Sequence, residues 1–367
     1  MSNLKVSIII SNRNDVAMLI VTIRSCIEAL KPLGPGAGEI VIVDNSDKPV
    51  YDKLQAALPT GYCRDGVLKV FYQPFPCLFT ARDTAAQRAS GKYILCIDGH
   101  MLIGHNMILD LVNFMDARQS DPLLGFAHAP INWAHQHESR SKHDRDVTEH
   151  ELGPWGNAYS TPRMITWKGM PWICRREWFI NQLNGYGALS QHRISWGGGD
   201  MHIGFKPWLL GYQNWAVPTS PGIHIGPFPR TDSDPKNKNM VNATHTNNNI
   251  EEYRYRVWAK SGNGPHAVGF LVSCYVLGGE AMMLRNKKAI SERFGKFIDV
   301  NKWWDQSIEW GKDEKAWLDK RKKMTFEELL IAKPWESTVD AEQHSHAAQY
   351  SAQYSAAQSH ELELAAA

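Results

Sequence analysis

Apolar and polar positions alternate along the first hundred residues in blocks that predict strands and helices in turn. Blocks with buried-strand character lie at residues 6–10, 39–43, 67–72 and 93–97, and each is followed by polar residues. Between them, apolar residues recur at helical spacing over 16–30 and 78–90. Strand, helix and strand at this spacing form βαβ units, which imply a parallel sheet with right-handed crossovers. The pattern therefore predicts a doubly wound α/β fold that begins with a nucleotide-binding half.

The pattern changes in the later part of the chain. Residues 132–159 are polar and carry His135, His137, His143 and His150, but without the spacing of a zinc peptidase, so a solvated or acceptor-facing loop is predicted. Residues 231–249 have the composition of a mobile loop, 250–337 are predicted mainly helical, and 338–367 are predicted disordered. We therefore predict a catalytic domain at 1–249 (a nucleotide-binding half at 1–100, an acceptor half with a lid loop at 101–249), a helical extension at 250–337 and a tail at 338–367.

The composition is that of a globular protein that can bury a sizeable core. The chain has 367 residues, 43% of them apolar, and a formal net charge of only +2, so no global attraction to nucleic acid or membrane is implied. No signal peptide and no apolar run of about 20 residues is evident, which predicts a cytoplasmic protein without a membrane anchor. The six cysteines are widely spaced and are expected to be free, buried thiols in a reducing compartment.

The first candidate for chemistry is Asp98-Gly99-His100, which directly follows the strand predicted at 93–97. Ligands of α/β proteins bind at the carboxyl ends of strands. In an extended chain, residues i and i+2 point the same way, so the Asp98 carboxylate and the His100 imidazole could reach one divalent cation. The alternative is a loop acid beside a histidine whose hydrogen bonds are already made.

Three further residues extend this candidate site. Asp44 ends the second predicted strand, Arg82 lies on the helix before the Asp98 strand, and His224 lies between two isoleucines far downstream. Together they fit a nucleotide-diphosphate site, because a bound cation would neutralise the diphosphate as it departs. Histidine ligands favour Mn²⁺ over Mg²⁺. The alternatives are a strand-ending turn at Asp44, a structural ion pair at Arg82 and a core histidine at His224.

The order of these motifs resembles that of the GT-A glycosyltransferases. The motifs are similar to those of the large family 2 group and, more closely, to those of the polypeptide N-acetylgalactosaminyltransferases. The resemblance covers roughly residues 5–235, and its carriers are VSIII at 6–10, IVDNS at 42–46, Ala81-Arg82, Asp98-Gly99-His100, Trp196-Gly197-Gly198 and HIGPFPR at 224–230.

This resemblance implies a role for each matching position. Asp98, His100 and His224 would bind Mn²⁺ (or Mg²⁺), with Gly99 inside this donor-binding motif. Asp44 would contact the uridine of a UDP-sugar, and Arg82 would contact its diphosphate. The loop of Trp196, Gly197 and Gly198 would line the sugar and the acceptor, and the loop after His224 would cover the donor.

One departure from the N-acetylgalactosaminyltransferases concerns the catalytic base. They carry Glu-Asn after Trp-Gly-Gly, whereas this chain has Gly199-Asp200. Inverting family 2 enzymes place an aspartate near this point, where a carboxylate can deprotonate the acceptor hydroxyl. We therefore hypothesise that Asp200 is the base of an inverting transfer; the alternative is that it caps a helix starting at Met201. His202 is expected to pack or face solvent rather than bind metal.

The acceptor hydroxyl is not specified by these motifs and could belong to a glycan, a protein or modified DNA. Residues 285–323 hold twelve Lys/Arg and seven Asp/Glu, a net charge of +5, interleaved with four tryptophans. Amphipathic helices that cover the sheet are the simpler explanation of this composition. The more specific hypothesis is a surface for a polyanionic acceptor, such as a hydroxymethylated base in DNA. Two rivals from other classes are a nucleotidyltransferase, which typically has a glycine-rich loop after its first strand, and a non-catalytic sugar-binding module.

Overall fold

The computed structural model describes residues 4–59, 67–133, 163, 170–194, 197–217, 219–225, 266–294, 299–332 and 334. The strands in these ranges are β1 (Val6–Asn12), β2 (Gly38–Asp44), β3 (Leu68–Tyr72), β4 (Tyr93–Asp98), β5 (Met101–Leu102), β6 (Leu124–His128), β7 (Ile131–Trp133), β8 (Trp172–Arg175), β9 (Gln213–Ala216) and β10 (Gly222–His224). The helices are α1 (Val16–Leu30), α2 (Tyr51–Ala57), α3 (Leu78–Arg88), α4 (Met107–Ala117), α5 (Arg176–Asn181), α6 (Gly187–Gln191), α7 (Gly199–Leu209), α8 (His266–Phe294), α9 (Val300–Asp319) and α10 (Phe326–Ala332), with a short 3₁₀ turn at Lys31–Leu33.

A seven-stranded sheet in the order β3-β2-β1-β4-β8-β6-β9 forms the centre of the fold. Strands β1 to β4 are parallel, and β8 is antiparallel to both of its neighbours. Strands β1, β2 and β4 are buried almost throughout, because helices cover both faces of the sheet, and this explains their continuous apolar runs. The predicted α/β fold with a mostly parallel central sheet flanked by helices is confirmed.

A second, three-stranded sheet in the order β5-β10-β7 lies next to the end of β4. Strand β10 pairs antiparallel with β5, so that His224 is opposite Met101, and the Ile225 amide donates to the His100 carbonyl at 2.9 Å. This pairing brings residue 224 beside the Asp98-Gly99-His100 motif.

The described part of the predicted helical extension consists of α8, α9 and α10, so this prediction is confirmed there. Helix α8 contains a break at Gly279, where φ is 68° and ψ is −163°. Helices α8 and α9 approach closely at Gly311, where an added Cβ would lie 2.7 Å from the ring of Tyr275. The buried positions of α9 recur at helical spacing and are Val300, Ser307, Gly311, Glu314 and Leu318. The tryptophans at 303, 310 and 317, seven residues apart, lie beside this face and pack against the core.

One described helix, α8, contains a stretch at Val268–Lys288 that is long and apolar enough to cross a membrane, which the sequence analysis did not anticipate. The inside of the protein buries 67% of that stretch. Its position as a core helix against α7 and α9 therefore accounts for its composition.

Several sequence predictions fall outside the described residues. These are the His-rich loop, of which only residues 132–133 are described, the 231–249 loop, the proposed donor lid after Ile225, Trp196 and the 338–367 tail. The described cysteines, Cys26, Cys77, Cys96, Cys174 and Cys274, are buried and form no disulfide, as expected.

Candidate active site

Asp98 ends strand β4, and two basic side chains lie beside its carboxylate. Its Oδ1 accepts a hydrogen bond from Nη2 of Arg82 at 2.8 Å, and its Oδ2 lies 3.5 Å from Nε2 of His224. Burial on its own raises the pKa of the Asp98 carboxyl, but the hydrogen bond from His224 and the charge of Arg82 outweigh it and hold this pKa well below its usual range. Asp98 is therefore ionised at neutral pH.

His100 follows β4 and His224 ends β10, and their imidazole rings lie next to each other. Their Nε2 atoms are 3.0 Å apart, and one ligand atom from each of Asp98, His100 and His224 lies within 4.8 Å of the other two. Two donor atoms in adjacent positions around one octahedral ion with bonds of about 2.1 Å are about 3 Å apart. Two imidazoles and a carboxylate so arranged fit a divalent transition-metal ion. The three residues that the resemblance implies as ligands are brought together.

Arg82 lies on α3 and is 5% exposed. Besides Asp98, its guanidinium donates from Nη1 to the Tyr186 hydroxyl at 3.1 Å. Burial lowers the pKa of Arg82, yet its acidic neighbours raise it above its ordinary value, and Asp98 and Asp200 are among those neighbours. The structural ion pair that was the alternative interpretation is present, and Arg82 acts directly on Asp98.

Asp44 ends β2 on the other side of β1, and its carboxylate is held within a turn. Oδ1 accepts from Nδ2 of Asn12 at 3.0 Å and from the amide and hydroxyl of Ser46, and Oδ2 accepts from the Val50 amide at 2.9 Å. The side chain is buried. Asp44 therefore shapes the loop at this strand end, as the strand-ending alternative predicts. The sequence analysis did not single out Asn12 as a partner of Asp44, although its position at the end of β1 could have indicated it.

The glycines of the Trp-Gly-Gly motif are explained by close packing and backbone conformation. Gly197 and Gly198 have φ of 107° and 71°, in the region that favours glycine. A Cβ at Gly198 would lie 2.6 Å from the carbonyl oxygen of Gly269 on α8, and a Cβ at Gly199 would collide with Phe79. The loop thus lies against α8 on one side and α3 on the other. Gly99 is under no such constraint, since its nearest contact would be an ordinary 3.5 Å.

Asp200 occupies the first turn of α7, with Gly198 at the N-cap. The alternative interpretation, in which Asp200 caps a helix starting at Met201, does not hold, because the left-handed Gly198 is the N-cap and the helix begins at Gly199. Asp200 also contributes to raising the pKa of Tyr186, after burial as the main cause. Its carboxylate therefore lies within electrostatic reach of the Arg82–Asp98 pair and retains partial exposure.

Comparison with known proteins finds one matching family. Residues 7–166 match the family described as Glycosyl transferase family 2. The match covers less than half of the chain, so this part of the chain is similar to that family. The matched range contains Asp44, Arg82, Asp98 and His100, whereas Asp200 and His224 lie beyond it.

Solved structures are similar to this chain only at low identity. GalNAc-T7, solved with UDP, GalNAc and Mn²⁺, is 22% identical with a TM-score of 0.46 over 70% of this chain and 52% of that chain. TarS 1–349 of S. aureus, solved with UDP-GlcNAc, is 12% identical with a TM-score of 0.44 over 89% and 85%. The chain thus spans about half the length of GalNAc-T7, and no site residue is carried over from either structure. No curated protein matches the chain.

Proposed function

We propose that this glycosyltransferase moves a sugar from a UDP-sugar to an acceptor hydroxyl with the help of a divalent cation. The observation that carries the proposal is the convergence of Asp98, His100 and His224, from positions up to 126 residues apart, on one point at the carboxyl end of β4. The choice of uridine follows the sequence resemblance. A non-catalytic sugar-binding module is disfavoured by a partly exposed acid, Asp200, whose charge acts on Arg82 next to this cluster.

The three ligand residues would hold Mn²⁺ or Mg²⁺, and the mixed nitrogen and oxygen donors favour Mn²⁺. A bound cation would supply charge neutralisation to the leaving diphosphate. Arg82 holds Asp98 in its charged form and in one orientation, so we propose that Arg82 supports the donor site through Asp98.

Asp200 is proposed as the general base. Its carboxylate takes the proton of the acceptor hydroxyl while that oxygen bonds to the anomeric carbon, and the bond from this carbon to the diphosphate breaks. A single displacement of this kind inverts the anomeric configuration, and UDP leaves with the electron pair.

The test is Asp200→Asn, which keeps the size of the side chain and removes its basicity. Transfer is expected to be lost while UDP binding, measured by calorimetry with Mn²⁺, stays unchanged. Asp52→Asn, an exposed acid in the first turn of α2, is the matched control and should retain full transfer. Loss of wild-type transfer on chelation separates this enzyme from a metal-independent protein. An active Asp200→Asn variant, or a product that retains the donor's configuration by NMR, would refute the base assignment.

For the acceptor we propose a hydroxymethylated base in DNA. Support comes from the net +5 charge of residues 285–323, and from cations that lie over tryptophan rings of α9. Lys302 is 5.9 Å from the Trp303 ring and Arg321 is 5.0 Å from the Trp317 ring. Five other cations of this segment are paired with acids, so they are less available to bind an anion: Arg285, Lys288, Lys312, Lys315 and Lys322.

The acceptor proposal is tested with hydroxymethylated and unmodified duplexes of one sequence. Mass spectrometry should find the sugar on the modified duplex alone. The logarithm of the binding constant should fall linearly with the logarithm of salt concentration. Binding that ignores salt, together with no sugar on modified DNA, would direct the search to glycan or protein acceptors.

We also propose a cytoplasmic location. It is supported by the buried thiols of Cys26, Cys77, Cys96 and Cys174, which form no disulfide and so suit a reducing compartment. Immunolocalisation in the native host would test it, and an extracytoplasmic signal would contradict it.

A further inference from the structure

A buried cluster of charged groups joins the C-terminal helix α9 to the segment that leads into and forms α7. Glu314 of α9 is 3% exposed. Its carboxylate accepts hydrogen bonds from Nζ of Lys206 at 2.7 Å and the Ala188 amide at 2.6 Å, and it lies 3.0 Å from Nε2 of His202. Lys206 also donates to the Gly185 carbonyl at 2.6 Å. Lys206 and His202 are fully buried.

Glu314 is a charged acceptor for the hydrogen bonds of Lys206 and the Ala188 amide, and it lies within hydrogen-bonding distance of His202. Burial raises the pKa of Glu314, but His202 and Lys206 outweigh burial and lower it to about 2. A buried ion pair adds little net stability, whereas loss of one partner leaves an uncompensated charge. The arrangement therefore fixes where α7 and the 185–188 loop lie more than it stabilises the fold.

The two C-terminal helices hold the same segment at two further points. The Ser273 hydroxyl of α8 donates to the Gly198 carbonyl at 3.3 Å, and a Cβ at Gly269 would collide with the Gly197 carbonyl. The ring of His192 stacks on Trp310 of α9, with centroids 5.5 Å apart and planes 13° apart. Contacts from α8 and α9 thus run along the chain from residue 188 to residue 206.

Helix α3 closes the opposite side of this segment. Sγ of Cys77 donates to the Ile194 carbonyl at 3.1 Å, and the Thr80 hydroxyl donates to the Ser190 carbonyl at 2.8 Å. Arg82, which holds Asp98, lies on the same helix. The segment that ends in Asp200 is therefore clamped between the helix that supports the metal-site acid and the C-terminal helices.

We infer, building on the function proposed above, that Glu314 is a positioning residue for Asp200. It binds no substrate. It fixes α7 at two and six residues after Asp200, through His202 and Lys206, and it fixes the chain nine residues before the glycine loop through the Ala188 amide. The C-terminal helices are then part of the catalytic apparatus, because a base displaced by about 1 Å can lose two orders of magnitude in rate.

The primary test is Glu314→Gln, which keeps size and removes the carboxylate charge. We expect kcat to fall at least 10-fold while the KM for the donor changes less than about 3-fold, since the metal ligands lie on β4, β10 and their ends. Glu309→Gln, an exposed position on α9, is the matched control and should leave both constants unchanged. A conservative Glu314→Asp variant should recover part of kcat. A merely structural role would lower Tm and active fraction without this split.

Hydrogen–deuterium exchange gives a readout that does not depend on turnover. In Glu314→Gln, amides of residues 185–206 should exchange faster while those of β4 keep their wild-type rates; Glu309→Gln should change neither. Ser273→Ala, which removes one hydroxyl, should loosen the same segment if Glu314→Gln does not fold. Unchanged exchange in 185–206, or faster exchange with unchanged kcat, would overturn the inference. Wild-type protein that exchanges as expected but transfers no sugar would count against the proposed function instead.

Discussion

At the scale of single residues, the site is set by how each charge is paired. Asp98 is held ionised by Arg82 and is presented with two imidazoles, so it is suited to a cation. Asp44, an acid at the end of a neighbouring strand, uses its carboxylate to close a turn. Two aspartates that each end a parallel strand thus differ in how their carboxylates are used.

Metal affinity is predicted to depend on His224. Substitution His224→Ala removes one nitrogen of the three-residue cluster, and Mn²⁺ binding should weaken at least about 10-fold, since even indirect changes at metal sites cost 10- to 100-fold. Titration followed by electron paramagnetic resonance would measure it. The exposed His105 gives a matched control, His105→Ala, whose affinity should equal the wild type. Equal affinity of the two variants would rule out His224 as a ligand.

The stability of the protein is predicted to carry a pH dependence from Asp83. Burial outweighs the hydrogen bonds from Ser190 and the Tyr186 amide and the charge of Lys206, and raises the pKa of Asp83 to about 7 from its ordinary 3.8. The folded state therefore keeps a proton that the unfolded state releases. This stabilisation is complete below about pH 4 and is lost as the pH rises through about 7.

Removing that carboxyl should remove this dependence. In urea unfolding, the wild type should lose free energy of unfolding relative to Asp83→Asn from about pH 4 to pH 7, with a slope of at most about 1.4 kcal/mol per pH unit. Asp305→Asn, an exposed position on α9, is the control and should follow the wild type. Parallel curves for wild type and Asp83→Asn would contradict the prediction.

At the scale of elements, the glycine loop before α7 shows how packing dictates sequence. Gly198 and Gly199 are needed because helix α8 and Phe79 come within reach of any side chain there, and Gly197 has a φ of 107°, which favours glycine. The loop delivers Asp200 in the first turn of a helix, where the dipole favours a carboxylate.

A matched pair of glycines separates the cost of close packing from the cost of backbone conformation. Gly198 and Gly36 have φ of 71° and 73°, but a Cβ at Gly36 would have no atom within 4 Å. Gly36→Ala should therefore lose about 1–2 kcal/mol of unfolding free energy from its left-handed backbone alone. Gly198→Ala should lose clearly more, and should lower kcat as the loop moves. Equal losses in urea unfolding would show that the contact with Gly269 is unimportant.

At the scale of the whole molecule, helices α8 and α9 complete the core around α7, which lies beyond the family 2 match at residues 7–166. Helix α8 packs on α7 and α9, and α9 supplies Glu314 to the buried cluster. The predicted boundary at residue 249 therefore separates two segments that share buried contacts.

A chain ending at residue 265 is predicted to be unstable. It leaves Lys206 and His202 without Glu314 and exposes the apolar faces covered by α8, and an orphaned buried charge alone costs about 3–5 kcal/mol. Soluble yield and urea midpoints would measure the effect. A chain ending at residue 337, which lacks only the predicted disordered tail, should keep the wild-type midpoint. A stable 1–265 chain would show that the catalytic segment folds without the extension.

The sequence by itself determined the α/β class, the parallel strands and the Asp98–His100 pair, since these depend on local apolar periodicity and on the two-residue repeat of extended chain. The glycine-flanked Asp200 was also visible as a departure in a local motif. The start of its helix was not, because it depends on a left-handed glycine that only close packing requires.

Tertiary structure decided which residues far apart in the sequence come into contact. The pairing of β10 with β5 brings His224 to His100 across 124 residues, and helix packing carries Glu314 to Lys206 across 108 residues. Glu314 had one local signal, a charge on the otherwise buried face of α9, but no spacing rule names its partner. Side-chain direction follows from local backbone geometry, whereas partners far apart in the chain are fixed only when the elements pack.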